Sequence, residues 1–197
     1  MDLFNKQQIA VLHGIRRGFV KELLKSIGPT DVIEHYSSRV KENDSIADKL
    51  WAKQLNATTA NAIEHLTDII GVRIVVHFIG DVYDIASKVR EKYDIMEEID
   101  YITIPKDNGY RSFHMIIKFP IKEGNALGVS YIPIELQIRT VAMDCWASLE
   151  HQMFYKKEGV QQMELAKKEL LHCAETLFST DMRMEAIQNI IQKVESN

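Results

Sequence analysis

A chain of 197 residues, 46% hydrophobic and 26% charged, has the composition of an ordinary soluble globular domain and can bury a core without a disulfide or metal staple. Its net charge of −4 excludes bulk electrostatic attraction to nucleic acid or to an anionic membrane, so a polyanion must be held by local basic clusters. No apolar run approaches the roughly 18 residues of a membrane span, and Met1-Asp2-Leu3-Phe4-Asn5 lacks a signal-peptide pattern, which predicts a cytoplasmic protein.

Leu12, Ile15, Phe19 and Leu23 recur at helical spacing and predict a first helix, stopped by Gly28-Pro29. Arg17, Lys21 and Lys25 form a basic stripe along it, which a solvated face explains as simply as a ligand does. Thr30-Asp31 is placed to cap a short second helix reaching Tyr36, and a polar stretch leads on to a helix over about 45–55. Residues 71–79 are β-branched and apolar and predict a buried strand, followed by an amphipathic helix to about Lys92. Strands are expected over 94–103, 110–119 and 130–139, with a loop at Pro105–Gly109 and a turn at Gly124–Gly128. From Thr140 onward the pattern is helical. Ala142, Cys145, Trp146, Leu149 and Met153 predict one buried face, Glu158-Gly159 a break, Ala166, Leu170, Ala174 and Leu177 a second helix, and Ile187, Ile190, Ile191 and Val194 a last one. Cys145 and Cys173 read as reduced thiols in or near the core. The fold class is α/β (α+β): a mixed sheet with helices before and after it.

Alternation in the last two strands is informative. Ile132, Ile134, Leu136 and Ile138 share one face, and Tyr131, Pro133, Glu135, Gln137 and Arg139 the other. In the preceding strand Phe113, Met115, Ile117 and Phe119 oppose Tyr110, Ser112 and His114. A hairpin with one wet face is a common reading of such a pattern. The polar set, however, holds a carboxylate, an amide, a guanidinium, an imidazole, a hydroxyl and an aromatic, which together can bind a divalent metal, phosphate and a nucleobase. Rigid strands hold such groups more accurately than loops do.

Three further features stand beside it. Ser45, Lys49 and Lys53 fall at helical spacing, with Arg39 and Lys41 just before them; this is either a solvated basic stripe or a cradle for a triphosphate. The Gly-rich phosphate loop that ends in Lys and Ser/Thr is absent. Asp68 precedes the buried strand, as a turn residue or, paired with Glu135, as the second carboxylate of a Mg²⁺ site. Asn108-Gly109 predicts a tight turn that leaves Tyr110 at the mouth of its strand, where an aromatic can stack on a base. His13, His35, His65 and His172 show no ligand spacing, and His77 reads as a buried, satisfied histidine.

In this order the segments Arg39-x-Lys41-x-x-x-Ser45-x-x-x-Lys49, Asp68-x-x-Gly71-x-Arg73, Asp100-Tyr101-Ile102-x-x-Pro105-Lys106-x-Asn108-Gly109-Tyr110-x-Ser112-x-His114, Glu135-Leu136-Gln137-Ile138-Arg139-Thr140 and Trp146-Ala147-x-x-Glu150-His151 resemble the synthetase domain of the RelA/SpoT family, in its single-domain branch, the small alarmone synthetases. The resemblance implies a nucleotidyltransferase-like mixed sheet. It implies transfer of the β,γ-pyrophosphate of ATP to the 3′-hydroxyl of GDP or GTP. Arg39 and Arg73 would flank adenine; Lys41, Ser45, Lys49 and Lys53 would hold its phosphates; Asp68 and Glu135 would bind Mg²⁺; and Glu135 would act as general base. Tyr110 would stack on guanine, with Lys106, Asn108, His114, Gln137 and Arg139 placing the rest of the acceptor. The implied organisation is an N-terminal helix over 1–30, a catalytic domain over 31–157 and C-terminal helices over 158–197 suited to self-association, in a tetramer by family analogy. The Arg17-Lys21-Lys25 stripe would then be an allosteric site for the alarmone.

Two departures bear on this. Glu97-Glu98-Ile99 stand where many relatives carry a basic residue before the Asp-Tyr-Ile segment, which leaves the choice between GDP and GTP open. Trp51-Ala52-Lys53 replace an arginine after Lys49, offering a point charge in place of a bidentate fork. No hydrolase domain or its metal cluster is recognisable, so synthesis without degradation is expected. Two other functions fit the same residues: a toxic relative that pyrophosphorylates adenine nucleotides or the 3′ end of tRNA, and an inactive nucleotide or RNA sensor.

Overall fold

The computed structural model describes residues 3–28, 31–154 and 163–195. Pro29, Thr30 and the Glu158-Gly159 break lie outside them. The elements run α1 (Lys6–Ile27), β1 (Ile33–Val40), α2 (Asn43–Ala52), α3 (Thr59–His65), β2 (Ile70–Val76), α4 (Ile79–Lys92), β3 (Ile95–Asp100), β4 (Phe113–Pro120), β5 (Tyr131–Thr140), α5 (Val141–Phe154) and α6 (Met163–Glu195). The five strands form one mixed sheet in the order β1-β2-β5-β4-β3, in which β2 and β5 pair in parallel and the other neighbours antiparallel. The predicted mixed sheet with helical extensions is the one observed.

β2 and β5, the one parallel pair, lie inside the sheet, with β1 on one side of them and β4 and β3 on the other. One face of the sheet carries Val72, Ile74, Leu136, Ile138, Phe113 and Met115, all buried. It packs against Leu12, Phe19, Leu23 and Ile27 of α1 and Val82, Ile85 and Val89 of α4, in one continuous core. Burying each such side chain stabilises the fold by about 1.5–3 kcal/mol. Helix α1 starts with a reciprocal Asn5–Gln8 capping box and ends at Gly28, whose φ of +86° is the left-handed geometry that favours glycine. The opposite, polar face is left free for chemistry.

Several expectations are corrected. Residues 33–40, expected as the end of a short helix and a polar stretch, form β1. This strand lies at the sheet edge, where exposure of Glu34 to Ser37 erases the alternation that marks a strand. Helix α3 was not foreseen. The two C-terminal helices are one, α6, unbroken across Leu177 to Ile187. Both cysteines are exposed: α5 buries the edge carrying Met143 and Trp146, so Cys145, Leu149 and Met153 face outward, and Cys173 lies on the uncovered side of α6. His77 is partly exposed and sits 3.1 Å from Glu34, not buried.

Candidate active site

Strand register assembles the polar face row by row. Across β1, β2, β5 and β4 one row reads Arg39, Gly71, Glu135, Ile116. The next reads Ser37, Arg73, Gln137, His114, and the one after places His35 and Val75 beside Arg139. Residues 35–39 and 71–75 therefore meet residues 135–139 because the pleat puts alternate side chains on one face. Gly71 leaves the floor open: a Cβ there would meet nothing within 4 Å. The result is a cleft of about 210 Å³ lined by Ser37, Ser38, Arg39, Arg73, Glu135 and Gln137.

Asp68 enters from below this row. The chain bends at Thr67 and Ile69, and Lys41 N donates to Ile69 O at 2.9 Å, extending the β1–β2 ladder past the strand ends. Asp68 Oδ2 accepts from Lys41 and from Lys49 Nζ, the latter at 2.8 Å. Burial alone would raise this carboxyl, but the two ammonium groups outweigh it and hold Asp68 below the usual carboxylate range. Its Oδ1 is buried and accepts no hydrogen bond. An ionised carboxylate with one oxygen orphaned, within electrostatic range of Glu135, has the chemistry of a divalent-cation ligand. The donor set fits Mg²⁺.

Glu135 leads into the other half. Its Oε2 accepts from Gln137 Nε2 at 2.8 Å and its Oε1 lies 3.5 Å from His114 Nδ1. Burial would raise Glu135, yet the His114 contact prevails and keeps the carboxyl below its ordinary range. Glu135 is thus an ionised carboxylate at neutral pH. His114 Nε2 meets Tyr110 Oη at 2.8 Å, and Arg139 Nη2 donates to the same phenol oxygen at 2.5 Å. The His114 ring stands edge-on to Tyr101 and Tyr110, and Lys106 Nζ lies over both tyrosine rings, at 4.7 and 5.0 Å. The predicted turn is present. Gly109 has φ +90°, its N donates to Lys106 O at 2.8 Å, and Tyr110 N donates to Asn108 Oδ1 at 3.1 Å. Asn108 Nδ2 also reaches Glu150 Oε1 at 3.4 Å.

The structure therefore brings together Arg39, Arg73, Lys41, Lys49, Asp68 and Glu135 on one side, and Lys106, Asn108, Tyr110, His114, Gln137 and Arg139 on the other. Ser45 and Lys53 lie outside this convergence, exposed on α2 and at its C-terminal cap. Asp144 was missed. In the first turn of α5 it accepts from both Arg73 and Arg139, and an acid there ordinarily reads as a partner of the helix dipole. Tyr101 was also given no role. Its place in Asp100-Tyr101-Ile102, before a loop that ends in another tyrosine, was the available signal. Among the described residues there is no cluster of three or more metal-ligating side chains, and no helix is long and apolar enough to cross a membrane.

Residues 38–160 match the family model described as a region found in RelA/SpoT proteins. The chain is 44% identical over 158 residues to the GTP pyrophosphokinase YwaC of Bacillus subtilis, covering 79% of this chain and 74% of that protein. The crystal structure of small alarmone synthetase 1 from Bacillus subtilis, bound to its product pppGpp, superposes with a TM-score of 0.79 at 28% identity, over 95% of this chain and 100% of that one. Small alarmone synthetase 2 of the same organism superposes with a TM-score of 0.71 at 38% identity, over 91% and 92%.

Proposed function

The chain belongs to the RelA/SpoT family, and from that premise we infer that it is a small alarmone synthetase, a GTP pyrophosphokinase that moves the β,γ-pyrophosphate of ATP onto the 3′-hydroxyl of GDP or GTP. One observation carries the reading at this site: an ionised carboxylate, Glu135, stands between a cation-rich cleft and a hydrogen-bonded aromatic cluster. Joining two polyanions needs charge neutralisation and in-line placement of the hydroxyl more than covalent chemistry.

On the donor side Arg39 and Arg73, diagonal neighbours on β1 and β2, flank the adenine ring. Lys41 and Lys49 take the phosphates, while Ser45 and Lys53 stand exposed outside that pair. On the acceptor side Tyr110 stacks on guanine, and Lys106, Asn108, His114, Gln137 and Arg139 place ribose and phosphates. Glu135 removes the proton of the 3′-hydroxyl, and its hydrogen bonds to Gln137 and His114 fix the direction of its lone pairs. Asp68 and Glu135 would hold Mg²⁺, a reading supported by the unpartnered Asp68 Oδ1. The ion supplies neutralisation of the transferring phosphates when bound.

The catalytic unit is residues 31–157, with 1–30 and 158–197 as helical flanks. Met182, Met184, Ile187, Ile190 and Ile191 of α6 are exposed, which favours association of copies, in a tetramer by family analogy. Arg17, Lys21 and Lys25 are exposed along α1, which leaves the alarmone itself a landing place there. Its nucleotide substrates suit a cytoplasmic enzyme.

The test is an acceptor panel. The protein with Mg²⁺ and labelled ATP is offered GDP, GTP, GMP, ATP and tRNA. Label should pass to the guanine nucleotides. Label passing only to tRNA or to adenine nucleotides would identify the toxic relative, and nucleotide binding without transfer would identify a sensor.

A further inference from the structure

Two like charges lie side by side on the polar face. Arg73 of β2 and Arg139 of β5 are two residues out of step in the parallel register, and burial together with the neighbouring positive charge of Arg139 disfavours the charge on Arg73. A single carboxylate oxygen offsets this: Asp144 Oδ1 accepts from Arg73 Nη1 and from Arg139 Nη1, each at 3.1 Å. Gln137 Oε1 does the same, accepting from Arg73 Nε at 3.3 Å and from Arg139 Nη2 at 3.1 Å. The four side chains close a ring in which Asp144 is the anion. The aspartate is well anchored. Thr140 Oγ1 accepts from Met143 N at 3.3 Å to fix the first turn of α5, and the same hydroxyl is bonded to buried Asp181 of α6. His35 Nε2 stands 3.7 Å from the remaining oxygen, Asp144 Oδ2.

We propose that Asp144 is a positioning residue that couples the two nucleotide half-sites, by tying Arg73 on the donor side to Arg139 on the acceptor side through one shared oxygen. The proposal rests on the placement of those two arginines argued above. A nucleotide that orders either guanidinium also orders Asp144, so the second guanidinium has less freedom left to lose when its own ligand arrives. Such coupling is reciprocal: ATP tightens the guanine nucleotide by the factor with which the guanine nucleotide tightens ATP.

Calorimetric titration of the full chain in Mg²⁺ tests this, with GDP alone and with GDP after saturation by α,β-methylene ATP. In the unmodified protein GDP should bind about five- to ten-fold more tightly in the presence of the ATP analogue. Asp144→Ala should bring that ratio to about one and raise the KM of both substrates roughly ten-fold, the factor carried by one charge-assisted hydrogen bond. Asp144→Asn keeps an acceptor oxygen and loses the charge, so its ratio should fall between the two. Thermal unfolding checks that each variant folds; if the alanine variant does not, the asparagine variant alone decides. An unmodified protein with a ratio of one, or variants that keep the full ratio, would overturn the proposal. A protein that transfers pyrophosphate normally while its coupling ignores Asp144 defeats only this inference, whereas one that transfers to no guanine nucleotide defeats the assigned function.

Discussion

The two halves of the polar face are built differently. The acceptor half is a closed lattice in which Tyr110, His114, Gln137 and Arg139 each touch at least one of the others, with Arg139 only 4% exposed. The donor half is open: Arg39, Ser45 and Lys53 stand exposed, and Lys41 and Lys49 share one carboxylate. A half held by shape and satisfied hydrogen bonds recognises its ligand by fit, and a half made of cations around a cleft recognises charge. Selectivity for guanine and affinity for ATP therefore rest on different physics within one sheet, joined where Asp144 bridges Arg73 and Arg139.

Glu135 lies on the border, and its replacement should produce the largest effect. Glu135→Gln should lower kcat by about 10²–10⁴-fold, the usual range for a lost general base, with the unfolding midpoint almost unchanged. Turnover within a few-fold of the unmodified protein would remove Glu135 from that role. Next in size, Lys49→Ala should raise the KM for ATP about ten-fold with little change for GDP. Raising the salt concentration should weaken ATP more than GDP in the unmodified protein, because exposed cations are screened and buried ones are not. Equal salt sensitivity of the two substrates in steady-state kinetics would erase the contrast between the halves. The smallest effect belongs to Lys53→Ala. An exposed point charge at the C-terminal cap of α2 should change the KM for ATP by no more than about three-fold, the scale of a surface ion pair. A ten-fold change would mean that Lys53 reaches the phosphates as firmly as Lys49 does.

The acceptor half was legible in the sequence and the donor half less so, for the same reason. Alternation along 131–139 and the turn at Asn108-Gly109 are local signals, and the faces they predict are those observed. Arg39 owes its place to β1, an edge strand whose existence depends on pairing with β2, and local propensity reads that stretch as a short helix to Tyr36 followed by a polar segment. Asp144 was hidden because its partners come from two strands and its own helix gives it an ordinary explanation. The long α6 was split in two because its apolar positions cluster separately, a division that packing against α5 and α4 overrides. The cysteines were misplaced because helical periodicity shows that a face exists, and only packing decides which edge of it is covered.

The parallel pairing of β2 with β5 has a consequence for biosynthesis. Between those neighbouring strands the chain makes an excursion through α4, β3 and β4 before it returns. A growing polypeptide that has emerged only as far as β4 holds every cation of the ATP cleft up to Arg73, together with the Asp68 carboxylate. It lacks the glutamate that completes the centre and the arginine that faces Arg73. By topology alone, unfinished chains therefore lack the proposed base, which joins the cleft only when the fifth strand slots between the second and the fourth.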